Sequence, residues 1–339
     1  MTKVEGKIVK QLICLLLLLL PAVGLGERGA WLTYWDMEGA LEEAEQFESD
    51  LDEVICFEAY FDQDGNVVLP EETEMMLHSM DRPNVYLSLV NDVETAEGSI
   101  IQKSREFLQT QLRDEAAQSA HIDEILKLVD ICQLTGLEID YENFKKDTGL
   151  WEQFAVFLAR LFAILSREGI ALRVVLECAA PLYCALPDGP EYICMCYNLY
   201  GYHSGPGPKA DLSFLSEVGE NWQQVPGKVR MAFSAGGFLW HSGKVVRALR
   251  ERDAVALLEE YGIRPERDAD SGAMAAEIPG EDGGTLWYAD GTTLTCWRQH
   301  LEGMGYRHFD LFRLSGNETE SLKQFLQDEN NDAVGTDSE

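Results

Sequence analysis

Positive charge is what this chain has least of: 27 Lys and Arg stand against 59 Asp and Glu, a formal net charge of −32 over 339 residues. A surface that acidic repels nucleic acid, anionic lipid and polyanionic wall polymers, so no nucleic-acid partner is expected and a neutral or weakly charged substrate fits better. The acidity also confers solubility, and its use here is to exclude partners. Proline is scarce at 11. No internal repeat, heptad seam or low-complexity linker marks a second domain. Six histidines occur, none in an HExxH or paired-ligand arrangement, and GxSxG and P-loop patterns are absent; no metal and no cofactor are expected. A CxxC pair is missing as well. Past the leader described next, seven cysteines remain (56, 132, 178, 184, 194, 196 and 296), an odd number set mostly in apolar runs. They read as buried free thiols rather than a disulfide framework or a zinc site.

What the chain does have begins with Lys3, Lys7 and Lys10, an apolar run from Leu12 to Leu20, then Ala22, Gly24 and Gly26. That order is expected of a secretory signal over residues 1–26, too short to span a bilayer comfortably. Secretion without stable membrane insertion follows, with cell-surface anchoring by an uncleaved signal as the alternative. The end, DENNDAVGTDSE, is acidic and polar, and residues 325–339 are expected to form a disordered tail.

Between these ends, short apolar or β-branched runs alternate with amphipathic stretches, the pattern of repeated βα units. Eight runs qualify: 30–35, 53–60, 84–90, 136–142, 171–177, 192–198, 228–234 and 308–314. Eight is the number that closes one barrel, so the expected fold is α/β, a single-domain (β/α)8 TIM barrel over 27–324. Helices are expected at 150–169 and 99–132, and a small insertion at 268–291, between strands seven and eight.

The segment TGLEIDYENF, Thr135 to Phe144, is the informative one. Glu138, Asp140 and Glu142 alternate with Leu137, Ile139 and Tyr141, so on a strand the carboxylates share one face and the apolar groups the other. A solvated acidic face would look the same. In a barrel, however, the apolar face packs against helices and the carboxylates turn toward the axis, where unpaired charge is costly. Glu142 falls at the carboxyl end of its strand, where barrel enzymes keep their chemistry. Neighbouring like charges raise carboxyl pKa values, so one member of such a set can stay protonated and serve as a general acid. The outermost, Glu142, is the candidate.

This segment resembles the DxxDxDxE signature of glycoside hydrolase family 18: Asp140 and Glu142 are retained, while Thr135 and Glu138 depart from it. MCYNLYG is similar to the sixth-strand MxYDxxG motif, with Tyr197 retained and Asn198 in place of aspartate. The loop GYHSGPGPKADL resembles the PGP loop of the spore-cortex-lytic N-acetylglucosaminidase branch, as does the last helix and strand, where Phe312 replaces the usual tryptophan. VRMAFSAGGFLW matches more faintly, through Trp240. The resemblance spans roughly residues 30 to 320.

It implies a carbohydrate-active hydrolase on an N-acetylglucosamine-containing glycan, in peptidoglycan, chitin or a related polymer. This family is among the exceptions to the two-carboxylate scheme: the substrate's own acetamido oxygen attacks the anomeric carbon and the configuration is retained. The resemblance assigns the acid/base role to Glu142, the oxazolinium nitrogen to Asp140 and the acetamido carbonyl to Tyr197. Glu138 would share charge with Asp140, Asn198 would hydrogen-bond, and Phe312 would floor the sugar site. Trp35, Asn91 and Trp240, at or past strand ends, are further cleft candidates, although core packing or a turn explains each equally well. A monomer is expected. The rival is a non-catalytic, chitinase-like glycan-binding protein on the same barrel.

Overall fold

A computed structural model describes residues 26–281 and 283–327. Eight parallel strands close on themselves: β1 (Arg28–Thr33), β2 (Glu53–Asp62), β3 (Val85–Glu94), β4 (Gly136–Asp140), β5 (Ala171–Glu177), β6 (Glu191–Met195), β7 (Val229–Ser234) and β8 (His308–Phe312). Each pairs with the next, and β8 returns to β1 through Arg28 opposite Phe309. Every run expected to be a strand supplies one stave, so the (β/α)8 barrel stands. Residues 1–25 of the expected signal lie outside the described residues, as does the chain from residue 328. The helix Thr319–Leu326 buries Phe325 and Leu326, carrying the packed chain just past the expected boundary at 324.

Alternation sorts the side chains into two cores. Ala30, Leu32, Leu137 and Ile139 face outward onto the helices, while Trp31, Ile55, Tyr86, Val175 and Ile193 fill the barrel interior. Helix Thr148–Leu165 shows the outer packing, burying Trp151, Phe154, Phe157 and Leu161. Asp114, Asp147, Asp211 and Asp290 each cap a helix by accepting a backbone N–H bond.

Two regions differ from expectation. The single helix expected over 99–132 is two, Arg105–Gln111 and Glu115–Cys132, because Ser104 and Asp114 each cap a separate start. Ahead of them Ile100–Ile101 pairs antiparallel with Val93–Glu94, an overhang of β3 beyond the barrel rim. The insertion is also larger than expected. It starts at Gly236, directly after β7, and forms a five-stranded antiparallel sheet ending at Ala289, with helix Glu251–Tyr261 packed on it through Leu257 and Leu258. Strand seven ends at Ser234 as expected, and Gly236 at φ +63° turns the chain out of the barrel into the first strand of the insertion, Gly236–His241.

Candidate active site

The carboxyl ends of the strands open into a cavity of about 600 Å³ that also touches the insertion. A charged layer elsewhere in the barrel interior, outside the cavity lining, is structural. Arg173 of β5, fully buried, contacts Glu138 (3.1 Å), Asp310 (2.8 Å) and Glu53; Arg230 of β7 bonds Asp310 (2.6 Å) and Glu27 (2.7 Å). The carboxylates of Glu27, Glu53 and Glu191 lie close enough together to hold a metal ion, but Arg230 and Lys228 already supply the countercharge.

Above this layer the ladder turns inward. Tyr141, on the opposite face, packs against Phe154 and Phe157 and shares a 2.8 Å hydrogen bond with His121. That outer anchoring forces Glu138 and Asp140 toward the axis. Glu138 is fully buried and saturated: Trp31 Nε1 donates to one oxygen at 2.7 Å and Arg173 Nε to the other at 3.1 Å. The charge of Glu138 acts on Asp140, while its hydrogen bonds go to Trp31 and Arg173. Arg173 supplies its countercharge, and Glu138 holds the floor of the site.

Asp140 lines the cavity with its Oδ1 buried and without a hydrogen-bond partner. Burial first, then the charges of Glu142 and Glu138, drive its carboxyl well above the ordinary range, with Lys103 opposing. An oxygen so placed awaits a donor. Glu142, half-buried past the end of β4, is held by its backbone: its N–H donates to Asn91 Oδ1 at 2.9 Å, and Asn91 Nδ2 donates to its carbonyl at 3.1 Å. Asn91 thus clasps the segment bearing Glu142 and also lines the cavity. Lys103 Nζ lies 2.5 Å from Glu142 Oε1.

Across the cavity, burial and then the charges of Asp140 and Glu142 raise the Tyr197 phenol well above its usual value, so it stays a hydroxyl. Its ring stacks on Phe312 at 6.2 Å, and Phe312 in turn meets Trp31 at 6.1 Å and Phe57 at 6.0 Å. These rings form an apolar floor beside the carboxylates. Trp35 stands half-exposed at the rim, edge-on to Phe57. Asn198, exposed at φ +66°, also borders the cavity. Trp240 is not part of it: the ring is buried in the insertion sheet against Phe238, and Phe238 reaches the cavity instead. The chain leaves the barrel before Trp240, which moves that residue away from the axis.

Several lining groups escaped the sequence reading. Glu58 of β2 is pushed up to about 8 by burial, with Asp92 adding to the rise. Lys209 of the PGP loop, bonded to Ser234 Oγ and the Ala235 carbonyl, is pulled down to about 7 by burial and then by Arg313. Trp31 could have been found, since strand alternation turns it inward beside Glu138. Glu58, Lys103 and Lys209 carry no local signal.

Fold and cavity together define a (β/α)8 barrel with a carboxylate-rich site at its carboxyl mouth and an aromatic floor. No family model and no curated protein matches the chain. Solved structures do. A chitinase from Chromobacterium violaceum superimposes with a TM-score of 0.73 at 18% identity, covering 89% of this chain and 99% of its own. The spore cortex-lytic enzyme SleL of Bacillus cereus gives 0.74 at 17%, over 89% of this chain and 74% of that one. A class V chitinase from Nicotiana tobaccum, solved with NAG4, gives 0.71 at 12%, over 89% and 98%. At these identities the likeness establishes a shared barrel.

Proposed function

We propose that this protein is a secreted glycoside hydrolase of the family 18 type that cleaves β-linked N-acetylglucosaminyl bonds. The observation that carries the reading is the convergence of Asp140, Glu142 and Tyr197 on one cavity floored by Phe312 and Trp31. In it Glu142 protonates the leaving oxygen as the C1–O bond breaks and the acetamido oxygen closes on C1. Asp140, with a free buried acceptor, accepts a hydrogen bond from the oxazolinium N–H and stabilises its positive charge, and Tyr197 donates to the acetamido oxygen. Water then attacks C1, Glu142 removes its proton, and the configuration is retained. A flat ring floor suits stacking against a sugar face, and phenylalanine at 312 offers less area than an indole. Structures named as chitinases and as a cortex-lytic enzyme share the barrel, which favours chitin-like or wall glycans as substrates.

A second reading, a glycan-binding protein without turnover, is favoured by one observation: Glu142 Oε1 is already engaged by an ammonium. A fluorogenic N-acetylglucosamine oligomer distinguishes the two. Turnover by the purified protein, reduced at least about 100-fold in Glu142→Gln, is the expected result for a general acid. Oligomer binding equal in both proteins with turnover in neither would establish the lectin. Mass analysis of the protein exported by its own cells tests removal of residues 1–26.

A further inference from the structure

Lys103 is built into the site rather than draped over it. It sits on the connection leaving the β3 overhang, at φ +50°, a left-handed conformation that a residue with a side chain seldom adopts. Two hydrogen bonds hold it there: its N–H donates to Asp92 Oδ1 at 2.7 Å, and its carbonyl accepts from Asn143 Nδ2 at 2.9 Å. Asn143 follows Glu142 and is itself left-handed at φ +70°. Two strained backbones, one on each side of the ion pair, fix each other, and strain of this kind concentrates where geometry serves function.

The ammonium so delivered meets carboxylates from four strands. Asp140 ends β4 and Glu142 follows it, Glu58 comes from β2, Asp92 from β3 and Glu177 from β5; the Tyr197 hydroxyl faces them from beyond β6, with Lys209 and Arg313 farther round. Burial alone would lower the Lys103 ammonium, yet Glu142, Asp140 and Glu177 outweigh it and keep the group charged. The side chain is half-exposed on a flexible stem, so the contact can open toward solvent.

We propose that Lys103 is a positioning residue whose ammonium holds the Glu142 carboxylate in the free protein and is displaced by the incoming glycan, coupling substrate binding to proton uptake by the carboxylate cluster. The inference rests on Glu142 being that acid. A carboxylate paired with an ammonium is favoured in its charged form, which has no proton to give a leaving oxygen. Once the glycan displaces Lys103, the repulsion between Asp140 and Glu142 is no longer offset, and the cluster takes one proton from solvent. The sugar then meets a carboxylic acid.

The test compares wild type, Lys103→Met and Lys103→Arg on the fluorogenic oligomer across pH, beside ¹³C titration of the side-chain carboxyls with and without an unlabelled oligomer. The alkaline limb of kcat/KM is expected about one pH unit higher in the methionine variant, with a lower KM, while arginine keeps the wild-type profile. In the carboxyl titration, oligomer added to wild type should move the cluster upward, as Lys103→Met does without ligand. Coincident profiles and titrations for wild type and a folded Lys103→Met would overturn the inference. Should the wild type bind oligomer without turning over, the hydrolase reading fails, and the titration still decides whether glycan displaces the lysine.

Discussion

At the residue scale, burial separates the three carboxylates of one strand into three different objects. Glu138 is an ion-pair partner outside the cavity lining, Asp140 carries an unpartnered buried oxygen, and Glu142 is reachable from solvent. Spacing alone makes them equivalent; only their neighbours distinguish them. Removing Glu138 as Leu would leave Arg173 with Asp310 and Glu53 but strand the Trp31 N–H, and breaking a buried pair costs about 3 kcal/mol or more. Urea unfolding should register that loss, whereas a change within about 0.5 kcal/mol, the scatter of an ordinary surface substitution, would contradict the account. Asn91 and Trp240 carry the complementary lesson. Both were legible as residues at strand ends, yet Asn91 clasps backbone while lining the cavity and Trp240 packs a sheet away from it, because an amide or an indole serves structure as readily as a ligand.

At the element scale, the strand that bears the ladder is oriented from behind. Tyr141 and His121 bond across the barrel–helix interface, and burial pulls the His121 imidazole down to about 3. Between pH 6.5, its ordinary value, and about 3 the unfolded chain holds a proton that the folded one refuses. Stability from this group is therefore complete above pH 6.5 and declines as pH falls through that window. Denaturant midpoints taken at intervals of pH should decline less steeply in His121→Phe than in wild type; parallel slopes would mean the histidine carries none of the dependence. The insertion belongs to this scale as well. Its first strand, Gly236–His241, stands where a loop after strand seven was expected, and the left-handed Gly236 separates it from β7.

At the scale of the whole molecule, the net charge of −32 is spread over a barrel whose interior cations are already matched, so the excess falls largely on the surface. Self-repulsion of that kind weakens the compact state and is screened by salt. The thermal midpoint should rise between 10 mM and 300 mM sodium chloride, and a flat or falling midpoint in calorimetry would show that repulsion is not limiting.

The sequence by itself determined the number of staves, the inward turn of positions 138, 140 and 142, and the cluster's place at the carboxyl mouth, because strand alternation and βα repetition are local periodicities. Tertiary structure alone decided that Arg173 neutralises Glu138, that Lys103 meets Glu142, and that the chain leaves the barrel at Gly236. Closing the barrel brings together residues as far apart in sequence as Arg173 and Asp310, and no local pattern encodes which charges then become neighbours.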